Sequence, residues 1–124
     1  MFTFLLNGEE IKTMGVTKVD LFSPSQNQLA TYARVLAHPA RISILQYLLK
    51  TQSCCNSHLV EEIGLAQATI SQHLRELKSI GIIQGTIEGV SVNYCIHPEK
   101  WREIKEVFYR LFEAYQEPEC EERC

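Results

Sequence analysis

The sequence predicts a mainly α-helical fold that carries a single β-hairpin. Three observations support this. Apolar residues recur at helical spacing in several separate segments. One stretch, "IIQGTIEGVSVNYCIH", contains two strand-like runs around Glu88-Gly89. The helices are punctuated by caps, prolines and glycines at the positions where such residues start and stop helices.

The chain has 124 residues, is 45% hydrophobic and 22% charged, and so has the size and composition of a single globular domain. Residues 1–22 show no firm pattern and are expected to form an N-terminal arm. The opening "MFTFLLNGEEIKTMGV" has no basic residue ahead of its short apolar patch and reads poorly as a secretion signal. No apolar run approaches the length of a membrane span, so neither a membrane partner nor export is expected, and the cytoplasm is the expected location.

"SPSQNQLATYARVLA" opens with a serine cap and an early proline, predicting a first helix with Leu29, Ala33, Leu36 and Ala37 as its apolar stripe. His38-Pro39 breaks it, because the residue before proline avoids the helical region. "ARISILQYLLK" predicts a second helix with Ile42, Leu45, Leu48 and Leu49 facing inward. "TQSCCNS" reads as a polar turn. "HLVEEIG" is a short third helix capped by Asn56 or Ser57 and ended by Gly64. A tight connector then leads into a fourth helix, about Ala68 to Ile80, with Ile70, Leu74 and Leu77 on its buried face. Last comes "PEKWREIKEVFYRLFEAYQ", with Trp101, Ile104, Phe108, Leu111 and Tyr115 at helical spacing and Phe112 alongside. That stripe is wide and aromatic for one flank of a small domain, and a helix–helix homodimer interface is its natural use.

Two short helices joined by a tight turn, followed by a hairpin, spell a winged helix-turn-helix. In that arrangement the second helix of the pair enters the major groove of double-stranded DNA and its front side chains meet base edges. Gln67, Thr69, Ser71, Gln72, His73 and Arg75 stand at the front of the fourth helix and are the expected DNA contacts. Gln bonds adenine bidentately and Ser and Thr suit several bases, whereas Ser71 and His73 also reach phosphates. The formal net charge of -3 is unusual for a nucleic-acid binder. The acidity, however, sits in the tail, at Glu113, Glu117, Glu119, Glu121 and Glu122, and residues 23–97 carry one net positive charge. The expected division is therefore an arm (1–22), a DNA-binding domain (23–97), a dimerisation helix (98–117) and an acidic, cysteine-containing tail (118–124).

"LAHPARISILQYLL" followed by "LAQATISQHLRELKSIGII" closely resembles the arsenic-repressor (ArsR/SmtB) family of bacterial winged-helix regulators. The likeness runs from Leu29 to Ile96 and weakens in the last helix. It implies a dimeric repressor whose hold on operator DNA is relieved by a metal, metalloid or thiol-reactive signal, with the hairpin around Gly89 as the wing. One departure is that "TIEGVSVN" carries no arginine, where family members often do. The zinc-type pair of histidines on the last helix, another family feature, has no counterpart here, since only His97 is present. A family Cys-X-Cys pair at the front of the third helix corresponds in place to Cys54 and Cys55, with altered spacing.

There are 5 cysteines, an odd number that fits a disulfide scaffold badly. Thiolates at a helix front are stabilised, and soft thiolates select soft ions. Cys54 and Cys55 are therefore the expected heart of an inducer site, with Cys120 and Cys124 in the tail as further ligands and arsenite as the favoured inducer. No cofactor is expected beyond it. Cys95, alternating with Tyr94 and Ile96, is expected to pack. The alternatives are a repressor of the same fold gated by thiol oxidation or persulfide, and a dimeric protein-binding adaptor. An enzyme is not expected, because no spacing supplies a nucleophile, a base and an orienting third group.

Overall fold

The first helix is fixed at its start by reciprocal hydrogen bonds. Ser23 Oγ accepts from the Gln26 amide at 3.1 Å, and Gln26 Oε1 accepts from the Ser23 amide at 2.9 Å. This serine–glutamine capping box satisfies two amides that a helix end leaves open. The structure, a computed structural model, describes residues 2–6, 9–13, 19–88 and 91–119. Its contacts divide into two units, Met1–Thr31 and Tyr32–Cys124.

In the first unit, β1 (Phe2–Leu6) pairs antiparallel with β2 (Glu9–Thr13), Leu6 opposite Glu9, and a 3-10 turn covers Val19–Leu21. The expected arm over residues 1–22 therefore contains a hairpin. Phe2, Phe4 and Leu6 alternate along β1, but Leu5 interrupts the polar half of the pattern.

Helix α1 covers Pro24–Leu36. In the second unit α2 (Pro39–Thr51), β3 (Ser53–Cys55), α3 (Asn56–Ile63), α4 (Gln67–Ser79), β4 (Ile83–Glu88), β5 (Ser91–Ile96) and α5 (Pro98–Glu113) follow. Helices α2 and α5 begin alike. His38 and His97 are their N-caps, each imidazole Nδ1 accepting a backbone amide (Ala40 at 3.0 Å, Lys100 at 3.1 Å), with proline next in line. His97 is thus committed to a cap. Ile44 and Leu48 of α2, Leu59 of α3 and Ile70, Leu74 and Leu77 of α4 form the centre of the core. Val35, Ile82, Ile83 and Ile104 close it.

Two apolar stripes differ in phase from expectation. In α1 the buried residues are Tyr32 and Val35, and Ala33 and Ala37 are exposed. In α2, Ile44 replaces Ile42, and Ile42 and Leu49 stay 40% and 50% exposed. They line an apolar cavity of about 510 Å³ together with Leu45, Trp101 and Phe108. The periodicity is too broad in α2 to choose a phase, since Leu45 and Leu48 belong to both candidate faces.

The hairpin β4–β5 is the predicted wing, with Glu88 opposite Ser91. It gains a third strand. The "SCC" segment, expected as a turn, pairs antiparallel with β5, giving the order β3-β5-β4. Among the described residues, no helix is long and apolar enough to cross a membrane.

Candidate nucleic-acid interface

Helix α3 ends where the Gly64 amide bonds to the Val60 carbonyl at 3.0 Å, and Gly64 takes φ +80°, a conformation glycine adopts without Cβ penalty. Three residues later α4 begins. Its N-cap is Ala66, in extended conformation and with no side-chain cap. The sequence thus yields a helix pair joined by a tight turn, with the front amides of the second helix not capped by a side chain.

The 3.6-residue period sorts the α4 side chains. Ile70, His73, Leu74 and Leu77 are buried. Gln67, Ala68, Thr69, Gln72 and Arg75 are exposed and Ser71 is half-buried. Ala68, Gln72 and Arg75 lie opposite the buried stripe, with Ser71 beside them. Arg75 Nη2 donates to Gln72 Oε1 at 2.9 Å, which holds both side chains on that face. Of the six expected DNA contacts, Ser71, Gln72 and Arg75 therefore share the outward face, and Gln67 and Thr69 are exposed at its two edges. Ala68, absent from the expected set, stands in its middle. It offers a methyl group of the kind that meets a thymine methyl. It was overlooked because alanine carries no donor or acceptor, although its helical phase marks it.

His73 is a correction. It is only 7% exposed and lies on the core side of α4, so it is unavailable to DNA. Its Nδ1 accepts from Arg41 Nε at 3.2 Å, and its ring lies 4.4 Å from that of His38. Burial, with the nearby His38 and Arg41, holds the imidazole below its ordinary value, opposed by Glu76. The spacing contained the signal: position 73 falls three residues after Ile70 and four before Leu77. Arg41 is correspondingly committed, with Nη1 donating to the Val35 carbonyl at 3.0 Å, so part of the expected central positive charge faces inward. Glu76 forms a long ion pair with Arg34, at 3.8 Å.

The cysteines do not behave as one group. In β3, Cys54 is opposite Tyr94 and Cys55 opposite Asn93. Adjacent strand residues belong to opposite faces. As neighbours in β3, Cys54 and Cys55 therefore hold opposite register positions and do not form a pair on one face. Cys95 is half-buried, and its Sγ accepts from Gln84 Nε2 at 3.6 Å. Cys120 and Cys124 lie outside the described residues. Among the described residues, no three His, Cys, Asp or Glu side chains converge as a metal site.

The helix pair, its polar outer face and the adjoining hairpin define a winged helix-turn-helix regulator. Comparison with known proteins places it further. A profile of the bacterial regulatory proteins of the arsR family matches residues 38–84. A biofilm growth-associated repressor of Xylella fastidiosa is 32% identical over 88 residues, covering 71% of this chain and 63% of that protein. An uncharacterised HTH-type transcriptional regulator of Methanocaldococcus jannaschii is 34% identical over 71 residues, 57% of this chain and 80% of its own length. The crystal structure of Mycobacterium tuberculosis Rv0081 superposes with a TM-score of 0.59 at 26% identity, covering 75% of this chain and 97% of that one. The chain belongs to the arsR family of bacterial regulatory proteins, a family of transcription regulators and not of enzymes.

Proposed function

We propose that this protein is a cytoplasmic transcriptional repressor that binds double-stranded operator DNA as a homodimer. The outward face of α4 carries the reading: a short, polar, exposed surface at the front of the second helix of a helix-turn-helix. The dimer is supported by the unpartnered apolar end of α5, where Leu111, Phe112 and Tyr115 are 53%, 70% and 70% exposed. Two reading heads then sit about one DNA turn, ~34 Å, apart, and the operator is an inverted repeat.

Release follows binding of a thiophilic ion, arsenite first, through thiolates at the front of α3, where Cys54 and Cys55 lie. The ion must favour the state that does not hold DNA, because equal affinity for both states shifts nothing. Fluorescence anisotropy with an inverted repeat selected from random DNA tests the reading. Tight binding at moderate salt, lost on scrambling one half-site and reversed by arsenite, is expected. Equal affinity for scrambled DNA would overturn it.

A further inference from the structure

The two helices that wall the apolar cavity carry the same pattern. On α2 it is Ile42, Gln46 and Leu49, and on α5 it is Trp101, Lys105 and Phe108. Both sets step i, i+4, i+7, so each forms one stripe that is apolar at its ends and polar in the middle. All six residues line the cavity of about 510 Å³, above a floor that includes the buried Leu45 and Ile104. Folded interiors leave few voids larger than a water molecule. A cavity of this size, with apolar and aromatic walls and few polar groups, has the make-up of a small-molecule pocket.

The charges select the occupant. Helix α2 contains no acidic residue. The residues one turn from Lys105 along its own face of α5 are Trp101, Arg102, Phe108 and Tyr109, none of them acidic. The glutamates nearest to it in sequence are taken by other partners. Glu103 pairs with Lys100 at 3.0 Å and Glu106 with Arg110 at 3.2 Å. Among the described residues, Lys105 has no ion pair. Its ammonium and the Gln46 amide are the polar side-chain groups offered at the rim of the cavity, beyond the indole of Trp101. A ligand with an apolar body and one anionic end satisfies both features. The body displaces water from the walls, and the anion takes a charge-assisted hydrogen bond. The apolar end of α5, at Leu111, Phe112 and Tyr115, does not line the cavity, so this surface is separate from the one assigned above to the dimer.

We propose that the cavity between α2 and α5 is a binding site for a small organic carboxylate with an apolar body. The carboxylate bonds to Lys105 Nζ, with the Gln46 amide as a second donor, and the body lies between Trp101 and Phe108 on one side and Ile42 and Leu49 on the other. No cysteine lines the site, so it is independent of the thiophilic-ion reading. It adjoins the contact that seats α4, since Ile42 directly follows Arg41, the donor to His73.

The test titrates the full chain with decanoate, kept below its micelle concentration, and with 1-decanol, which has the same chain without the charge. Calorimetry gives affinity and stoichiometry. Trp101, the single tryptophan of the protein, reports on the cavity through its emission. One decanoate per chain and a shifted Trp101 emission are expected, with 1-decanol bound roughly tenfold or more weakly. Lys105→Met keeps the apolar stem and should lower decanoate affinity by roughly tenfold or more without weakening 1-decanol. Lys105→Arg should keep decanoate binding. Leu49→Trp, which fills the cavity from an exposed position, should weaken both ligands in calorimetry while circular dichroism stays that of wild type. Wild-type decanoate affinity in Lys105→Met or in Leu49→Trp, several decanoates per chain, or an unmoved Trp101 emission would overturn the site. So would a decanoate affinity that falls as rising protein concentration drives dimerisation, an outcome that gives the cavity to a second copy of the chain.

Discussion

Arg41 Nε donates to His73 Nδ1 across 3.2 Å, joining the front of α2 to the middle of α4. The same guanidinium donates through Nη1 to the Val35 carbonyl at the end of α1. The His38 ring, 4.4 Å from that of His73, completes a cluster that ties three helices. The two sequence motifs that carry the family resemblance, "HPAR" and "ISQHL", thus meet in space. Through Arg41 and His73 they fix α4 against the rest of the domain.

The cluster makes stability depend on pH. Because Nδ1 accepts from Arg41, the ring proton belongs on Nε2 and the imidazole is neutral in the folded state. Its folded pKa is lowered from 6.5 by burial first, then by His38 and Arg41, with Glu76 opposing. The unfolded chain therefore binds the proton more readily, and stability rises with pH between the lowered value and 6.5. Denaturant titrations should show full stability above that window and a decline as pH falls through it. His73→Leu should flatten this decline. It should also cost about 1–3 kcal/mol at neutral pH by leaving Arg41 Nε without that acceptor. An unchanged slope in the variant would assign the titration elsewhere.

Operator affinity should depend on the outward face of α4. Gln72→Ala and Ser71→Ala are each expected to weaken specific binding by about 1–3 kcal/mol where they meet a base edge. Arg75→Ala should weaken binding to all sequences and reduce the salt dependence by about one ion if it meets phosphate. Ala68→Glu, which sets a carboxylate in the middle of the face, should abolish binding while leaving the melting curve within about 0.5 kcal/mol of wild type. Anisotropy reads all four, at one salt concentration for affinity and across a salt series for Arg75→Ala. Wild-type affinity in Ala68→Glu would move the interface away from α4.

The parts of this molecule that sequence revealed are those with local causes. The bounds of α4 and α5, the breaks at Pro39 and Gly64 and the wing around Gly89 follow from periodicity and turn chemistry within a few residues. β3 did not, because three residues give no usable alternation and its partner strand lies far along the chain. Cys54 and Cys55 were placed in a polar turn before α3, whereas that segment pairs with β5. His73 was misassigned because polarity was taken as exposure, although helical phase put it with Ile70 and Leu77. The hairpin of β1 and β2 went unread despite Asn7-Gly8, since the flanking strands lack a clean polar alternation.

Both helices of the helix-turn-helix pair are followed by glycines with positive φ, Gly64 at +80° and Gly81 at +78°. Ala at either position is strained by about 1 kcal/mol or more. At Gly64 a Cβ meets nothing within 4 Å, so the backbone term stands alone. At Gly81 it comes within 3.2 Å of Lys100 Cγ, a flexible stem that can yield, but whose ammonium pairs with Glu103 at 3.0 Å. Gly81→Ala should therefore destabilise at least as much as Gly64→Ala. Chemical denaturation decides it, and a neutral effect at both positions would contradict the left-handed turns.

The far end of α5 gives the sharpest test of the dimer. Phe112 and Tyr115 are each 70% exposed in the single chain, so removing them costs that chain almost nothing. In a dimer they are covered, and each buried aromatic contributes about 1.5–3 kcal/mol, counted twice by symmetry. Phe112→Asp with Tyr115→Asp should therefore leave the circular dichroism of the monomer intact but shift sedimentation from dimer to monomer. Dimerisation also makes melting concentration-dependent by mass action. The wild-type transition should rise with protein concentration, and that of the double variant should not. Operator affinity should fall toward that of an isolated half-site, because the two reading heads are no longer linked. A double variant that sediments with wild type, or a wild type that is monomeric at micromolar concentration, would sever the apolar end of α5 from assembly.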